Sequence, residues 1–183
     1  FLFGNHPTLS LAELMSFLDN HNIVYGKFEI INDILLIEIK RSPKLVTELQ
    51  NELGGIIKIF EIKIEFKGKI YNLEKILTPE LLVKKWFAQR KNKINFGISV
   101  YANPDPNYAE FNWLNSFAYN IKRKLKDDHS IRYVEDRSLR LSSVQVERNR
   151  LLDTGAEIVL ISDKDRHFVG KTLSVQDYQS YSE

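Results

Sequence analysis

The sequence contains no cysteine among its 183 residues. This absence excludes disulfide bonds, thiolate zinc sites and cysteine nucleophiles, and nothing in the chain requires an oxidising compartment. We expect a cytoplasmic protein. No apolar run approaches the roughly 20 residues that a membrane-spanning helix needs. Charged residues such as Glu38, Lys58 and Lys63 interrupt the apolar stretches, so we predict no membrane partner.

Glycine-rich phosphate loops are also missing. Neither G-x-G-x-x-G nor G-x-x-x-x-G-K-[ST] occurs, which disfavours nucleotide hydrolysis. The four histidines are scattered in predicted turns and lack the close spacing of metal ligands. Acidic pairs such as Asp127-Asp128 also fall in predicted turns, where solvated carboxylates are common. We therefore predict no catalytic residue, no metal site and no cofactor within this chain.

The first 67 residues follow the order strand, helix, strand, strand, helix, strand, which predicts a ferredoxin-like unit. Thr8 or Ser10 is expected to cap the first helix, with Glu13 as a capping-box partner. A hairpin is predicted at Asn32-Asp33. Pro43 is expected to open the second helix, and Gly54-Gly55 to end it in the left-handed conformation.

Residues 68–93 are interpreted as a linker. A polar connection, 68–77, leads to a helix that starts at Thr78-Pro79-Glu80 and ends before the polar segment 89–93. Residues 94–183 then form a second unit. We predict strands at 94–101, 131–134, 158–161 and 168–175, a long helix at 111–126 and a short helix from Leu141. The predicted fold class is α/β of the α+β type, with domains 1–67, 68–93 and 94–183.

Basic residues outnumber acidic ones between Lys122 and Arg150. A local basic excess of this kind is typical of a phosphate-binding surface. The alternative is a solvated face with a few ion pairs, because most charge runs are no more than that. Under the alternative, the acidic partners are Asp127, Asp128, Glu135, Asp136 and Glu147. The candidate binding residues are Lys122, Arg123, Lys126, Arg132, Arg137, Arg140, Arg148 and Arg150.

The stretch "LSSVQVERN", residues 141–149, favours the phosphate interpretation. Ser142 and Ser143 stand at a predicted helix start, where hydroxyls and backbone N–H groups bind anions. Arginines gathered at such a place repel one another unless an anion or an acidic neighbour lies between them. Tyr119 and Tyr133 are candidates for stacking on unpaired bases, with core packing as the alternative for each.

Several stretches in this order resemble the N-terminal half of THUMP-containing RNA methylases. They are "FLFGNHPTLSLAEL", "ELGGIIKI", "FGISVY", "IKRKLKDDHSIRYVEDRSLRLSSVQVERNRLL", "GAEIVLI" and "VGKTLSVQDYQSYSE". These methylases are the tRNA guanosine amino-methyltransferases and their bacterial relatives, sometimes labelled DNA methylases. The resemblance covers nearly the whole chain, and residues 121–152 are its most specific part.

The resemblance implies an N-terminal ferredoxin-like domain, a THUMP domain, and a Rossmann-like methyltransferase domain after them. It also implies that the THUMP domain binds RNA, especially the acceptor end of tRNA with its unpaired 3′ terminus. The N-terminal unit and linker would set the distance from that end to the catalytic domain. The matching positions are Lys122, Arg123, Lys126, Arg132, the segment 140–143 and Arg148.

The chain departs from the family where the methyltransferase domain would begin. It has no S-adenosylmethionine motif and no Asn-Pro-Pro-Tyr loop, so we expect the cofactor and the catalysis to belong to a domain beyond Glu183 of a longer protein. The expected function is tRNA recognition for RNA methylation. Alternatives are RNA binding for thiolation or pseudouridylation, a protein-interaction adaptor, and DNA methylation.

Overall fold

In a computed structural model of the chain, the structure describes residues 1–40, 42–87, 93–103, 107–127 and 130–177. Helices alternate irregularly with strands, and both parallel and antiparallel strand pairs occur, which confirms an α+β fold. The chain divides into two compact units: an N-terminal unit of residues 1–60 with 173–183, and a second unit of residues 61–172. Within the described ranges, no helix is both long and apolar enough to span a bilayer.

The N-terminal unit has the predicted ferredoxin-like topology. Its elements are β1 (Leu2–Phe3), α1 (Pro7–Asn20), β2 (Tyr25–Ile31), β3 (Ile34–Ile39), α2 (Pro43–Glu52) and the start of β4 (Ile56–Lys67). The strand order is β2-β3-β1-β4. The β1–β3, β1–β4 and β2–β3 pairs are all antiparallel. This split βαβ arrangement is what the order of predicted elements indicated.

Both helices of the N-terminal unit bury one apolar face. Leu14 and Leu18 of α1 and Leu49 of α2 are fully buried and join the core formed with the sheet. The prediction for the start of α2 is confirmed, since Pro43 is its first residue. The Ser42 hydroxyl caps this helix by accepting a hydrogen bond of 3.1 Å from the Leu45 N–H.

The start of α1 and the end of α2 differ from the prediction. Helix α1 begins at Pro7, and the Ser10 hydroxyl donates to the His6 carbonyl at 3.1 Å instead of capping the helix. After α2, neither Gly54 nor Gly55 has a positive φ. Gly55 is needed for close approach, because a Cβ at this position would lie 2.8 Å from the Ser10 Cβ.

The C-terminal segment 173–177 packs within the N-terminal unit. The Gln176 N–H donates to the Ile57 carbonyl at 2.8 Å, and the Gln176 side chain donates to the Gly54 carbonyl at 2.9 Å. The Ser174 hydroxyl donates to Gln50 Oε1 at 2.9 Å. Residues distant in sequence therefore complete this unit, an arrangement that the local sequence patterns did not predict.

The second unit combines parallel and antiparallel strands. After the remainder of β4 it contains a 3₁₀ turn (Ile70–Asn72), α3 (Leu73–Ile76), α4 (Pro79–Lys85), β5 (Ile94–Asn103), α5 (Tyr108–Leu125), β6 (Ile131–Val134), α6 (Ser143–Arg148), β7 (Ala156–Asp163) and β8 (Arg166–Val175). Its strand order is β4-β8-β7-β5-β6. Strand β5 runs parallel to both β6 and β7, and β7 runs antiparallel to β8.

Residues 70–87 belong to the core of the second unit. The prediction of a helix after Thr78 is confirmed, because the Thr78 hydroxyl accepts from the Leu81 N–H at 3.3 Å and α4 follows. The prediction of a polar connection before it is wrong, since Leu73 and Leu77 are fully buried. Leu82 is equally buried in the same cluster. Most of the predicted polar segment 89–93 lies outside the described residues.

Candidate nucleic-acid interface

Helix α5 positions the candidate site, and its start is firmly capped. The Asn107 side chain accepts from the Glu110 N–H at 3.0 Å, while the Glu110 carboxylate accepts from the Asn107 N–H at 3.1 Å. This reciprocal capping box satisfies two backbone donors. Leu114, Ala118 and Ile121 are fully buried on the opposite side of the helix from solvent. The buried stripe fixes the rotation of α5 and therefore decides which residues face outward.

The outward face of α5 carries three cations, which we call the α5 basic face: Lys122, Arg123 and Lys126. Together with Tyr119 they occupy positions i, i+3, i+4 and i+7, which share one side of a helix. These four residues and Asn120 line an open depression of about 320 Å³. The structure thus brings together three of the predicted binding residues beside an aromatic ring.

The cations of the α5 basic face have no acidic partner in the described part of the chain. The Arg123 Nη2 donates to Asn120 Oδ1 at 3.1 Å, a neutral acceptor. The Lys122 Nζ lies 6.0 Å from the centroid of the Tyr119 ring, at the outer limit of a cation–π contact. None of the ion pairs among the described residues involves these three side chains. No ion pair within the described residues therefore neutralises the α5 basic face.

Tyr119 is held in place at its hydroxyl end while its ring stays exposed. The hydroxyl donates to Glu135 Oε2 at 2.9 Å, and the side chain remains 49% exposed. The ring meets the Tyr133 ring edge-on, with centroids 5.6 Å apart. The hydrogen bond to Glu135, followed by the carboxylate charge and partial desolvation, raises the pKa of Tyr119. Tyr119 therefore presents a fixed, neutral ring.

Tyr133 belongs to the core. It is buried, its hydroxyl donates to Asn115 Oδ1 at 3.0 Å, and its ring packs against Phe96 with centroids 5.2 Å apart. Burial, reinforced by the charge of Glu135, raises the pKa of Tyr133. Of the two tyrosines considered for stacking, only Tyr119 presents its ring to solvent.

Two acidic residues that were considered as ion-pair partners make other contacts. Glu135 accepts the Tyr119 hydroxyl. Asp136 accepts from the Ser138 N–H and from the Gln145 side chain, each at 2.8 Å. The hydrogen bond from Gln145, followed by that from the Ser138 hydroxyl, lowers the pKa of Asp136. These contacts organise the loop after β6 and leave the charge of the α5 basic face unbalanced by them.

Segment 140–151 lies on the opposite face of the second unit's sheet from α5, whereas Leu139 just before it belongs to the core cluster that contains α5. Alternate residues of a strand point to opposite faces. Phe96 and Ile98 of β5 belong to the core cluster that contains α5. Between them, a Cβ on Gly97 would collide with the Leu141 side chain. The Ser99 hydroxyl, on the same side as Gly97, accepts from the Leu141 N–H at 3.0 Å.

Arg132 also belongs to the face that carries α6. It pairs in register with Asn95 of the parallel neighbour β5, whose side chain donates to the Asn149 carbonyl at 2.8 Å. Residues in register on neighbouring strands share a face. The predicted basic group is therefore divided between two surfaces, with Lys122, Arg123 and Lys126 on one and Arg132, Arg140, Arg148 and Arg150 on the other.

The arginines outside the α5 basic face differ from one another in their contacts and in their exposure. Arg140 Nε donates to the Val100 carbonyl at 3.2 Å, and its guanidinium lies 5.7 Å from the centroid of the Tyr101 ring. Burial raises the pKa of Tyr101, the charge of Glu157 adds to this effect, and Arg140 opposes it. Arg150 lies 3.8 Å from Asp153 in an exposed pair. Arg137 and Arg148 are exposed, in the turn after Asp136 and at the end of α6.

The start of α6 is satisfied by the chain itself. The Ser142 hydroxyl accepts from the Gln145 N–H at 3.2 Å, and Gln145 Oε1 accepts from the Ser142 N–H at 2.7 Å. Ser143 is 2% exposed, and its hydroxyl has no hydrogen-bond partner among the described residues. Ser142 is thus occupied as a helix cap and Ser143 faces inward, so this short helix of six residues does not present an open anion site.

Two side chains that shape these surfaces were missed by the sequence analysis. Asn120 lines the depression and accepts a hydrogen bond from Arg123. This contact was predictable from the sequence, because residues three positions apart on a helix are neighbours. Gln145 closes the start of α6, and the Ser-x-x-Gln pattern that begins at Ser142 is a known capping-box signature.

Comparison with known proteins finds a similar fold but no matching family. No family model matches the chain. No curated protein matches it. The crystal structure of PH1313 from Pyrococcus horikoshii is similar, with a TM-score of 0.53 and 11% sequence identity, over 93% of this chain and 50% of PH1313. The chain therefore spans about half the length of that protein, and a likeness at this identity concerns the fold.

Proposed function

We propose that this chain is an RNA-recognition module, binding the acceptor end of tRNA for an S-adenosylmethionine-dependent methyltransferase domain of the same polypeptide. The observation that carries the proposal is the α5 basic face, whose three cations have no acidic partner in the described part of the chain. The resemblance of residues 121–152 to THUMP-containing methylases supports the choice of RNA. The THUMP assignment of residues 94–183 is part of the proposal.

The like charges of the α5 basic face repel one another. Three cations within two helical turns raise one another's energy unless an anion lies among them or the field of the helix compensates. The negative C-terminal end of α5 offsets part of this repulsion, since Lys122 and Arg123 lie in its last turn. A phosphate backbone offsets the rest and releases bound counterions when it docks. Such contacts position the RNA without reading its sequence.

Tyr119 adds a preference for unpaired nucleotides. Its exposed ring adjoins the lysines, and every base offers a face on which an aromatic ring can stack. Bases inside a duplex are already stacked, whereas those of a single-stranded end are available. A duplex stem that ends in a short single strand offers both kinds of contact: phosphates for the α5 basic face and a base for Tyr119.

The test is equilibrium binding of the chain to three ligands across a salt series. These are a whole tRNA, the same tRNA without its 3′ single-stranded end, and a DNA duplex of similar length. The proposal expects the whole tRNA to bind most tightly, trimming to remove most of that advantage, and affinity to fall steeply with salt. Equal binding of all three ligands would identify a general polyanion surface and contradict the proposal. Failure to bind any of them would contradict it as well.

A further inference from the structure

A second aromatic residue of the second unit reaches solvent beside α5. Among the described residues of this unit, Tyr71 and Tyr119 are the exposed aromatic residues, at 43% and 49%. Tyr71 lies in the 3₁₀ turn before α3. Its ring meets the Trp113 ring edge-on, with centroids 5.0 Å apart. An exposed ring braced by another ring is a ready stacking surface, because little conformational freedom is lost when a ligand binds.

Trp113 is itself held by two further contacts. Its ring stacks on Phe117, a buried core residue, with centroids 5.7 Å apart and an interplanar angle of 9°. The Trp113 indole N–H donates to Glu74 Oε1 at 2.9 Å. A chain of contacts therefore runs from the core through Trp113 to Tyr71, and it fixes the Glu74 carboxylate beside the indole. We call Tyr71, Glu74 and Trp113 the Tyr71 cluster.

The Tyr71 cluster lies along α5 from the α5 basic face. Trp113 and Asn120 are seven residues apart, a spacing that places both on one side of a helix. Asn120 lines the depression together with Tyr119. Seven residues of helix span about 10 Å, roughly the length of three stacked nucleotides. A single strand whose first base stacks on Tyr119 can therefore reach the Tyr71 cluster within roughly three further nucleotides.

The Glu74 carboxylate decides which part of a nucleotide fits at the Tyr71 cluster. A phosphate beside it is disfavoured, because like charges repel. A carboxylate accepts several hydrogen bonds, so Glu74 can accept from a base while it also accepts from the Trp113 indole. Glutamate accepts from the amino group of cytosine, and adenine carries a comparable amino group, whereas uracil has none. Unpaired bases are recognised in this way, by stacking and by hydrogen bonds to their edges.

We propose that the Tyr71 cluster is a second nucleotide subsite, which stacks an unpaired base on Tyr71 and accepts a hydrogen bond from its amino group at Glu74. The subsite favours cytosine or adenine over uracil. It rests on the proposed function and adds base selectivity to it, since the phosphate contacts of the α5 basic face read no sequence. Because the subsite neutralises no phosphate, it contributes affinity without increasing the salt dependence of binding.

The test is fluorescence anisotropy with a stem RNA that carries a 3′ overhang of four cytosines, and with the same stem carrying four uracils. The wild-type chain should bind the cytosine overhang about three to ten times more tightly. Tyr71→Ala should weaken binding of the cytosine overhang about fivefold or more, with the salt slope unchanged. Tyr71→Phe keeps the ring and should bind like the wild type. Glu74→Ala should remove the preference for cytosine over uracil.

The control Glu65→Ala removes an exposed carboxylate from the other face of the sheet. Ile64 and Phe66 pack against the core cluster that contains α5, so Glu65 between them points away from it. This variant should keep the wild-type preference for cytosine. A wild-type chain that binds both overhangs equally, or a Tyr71→Ala chain that binds as tightly as the wild type, would overturn the subsite and leave the proposed function standing. Failure of the wild type to bind either RNA would overturn both.

Discussion

The Tyr119 hydroxyl donates a hydrogen bond of 2.9 Å to the Glu135 carboxylate. This bond anchors one end of an exposed aromatic ring beside the α5 basic face. It also occupies an acidic residue that the sequence alone offered as an ion-pair partner for nearby cations. The same contact therefore fixes the orientation of the ring and limits the neutralisation of the surface.

Tyr119 is expected to contribute stacking energy to RNA binding. Tyr119→Ala removes the ring and should weaken binding of an RNA with a single-stranded end by about 1–3 kcal/mol. Tyr119→Phe keeps the ring, loses the bond to Glu135, and should bind close to wild type. Fluorescence anisotropy with a labelled RNA measures both. Equal losses for the two variants would show that the hydroxyl, and not the stacking face, is what matters.

Leu82→Ala tests whether residues 70–87 are part of the second unit's core. Leu82 is fully buried, so truncation should lower the free energy of unfolding by about 2–5 kcal/mol. The control Lys84→Ala, at an exposed position of the same helix, should change it by less than about 0.5 kcal/mol. Urea denaturation followed by circular dichroism gives both values. A small effect of Leu82→Ala would restore the interpretation of this helix as a linker.

Gly155 is expected to tolerate no side chain. A Cβ at this position would overlap the Asn95 carbonyl oxygen, which is backbone and cannot rotate away. Gly155→Ala should therefore destabilise the fold by about 1–3 kcal/mol or more. At Gly54 no atom lies within 4 Å of the added Cβ, and Gly54→Ala should be neutral or stabilise by up to about 1 kcal/mol. Thermal melts compare the two variants, and equal melting temperatures would contradict the prediction.

Much of the element order was predictable because it depends on local patterns. The hairpin at Asn32-Asp33, the start of α2 at Pro43 and strand β6 follow from turn residues and from alternation of apolar side chains. The polar appearance of residues 68–77 concealed Ile70, Leu73 and Leu77, whose helical spacing buries them together. The polar connection was predicted from the high average polarity of this stretch. The helical spacing of its apolar residues is the better indicator of burial.

The division of the basic residues between two surfaces was not predictable from composition. It depends on which face of the sheet each helix covers, and this follows from strand pairing between residues far apart in the chain. Arg132 illustrates the point, since its neighbour in register is Asn95 on β5. The capping at Ser142 was predictable in principle, because Gln145 stands three residues later.

The salt dependence of tRNA binding by a charge-reversed α5 basic face is the sharpest test of the proposed RNA interface. Lys122→Glu with Lys126→Glu should weaken binding and reduce the slope of log affinity against log salt by about 0.7–0.9 for each phosphate that the protein no longer neutralises. The control Lys69→Glu with Lys75→Glu makes the same change in net charge at exposed positions of the second unit and should retain the wild-type slope. Unchanged affinity and slope in the first variant, or an equal decrease in both variants, would show that the α5 basic face does not bind tRNA.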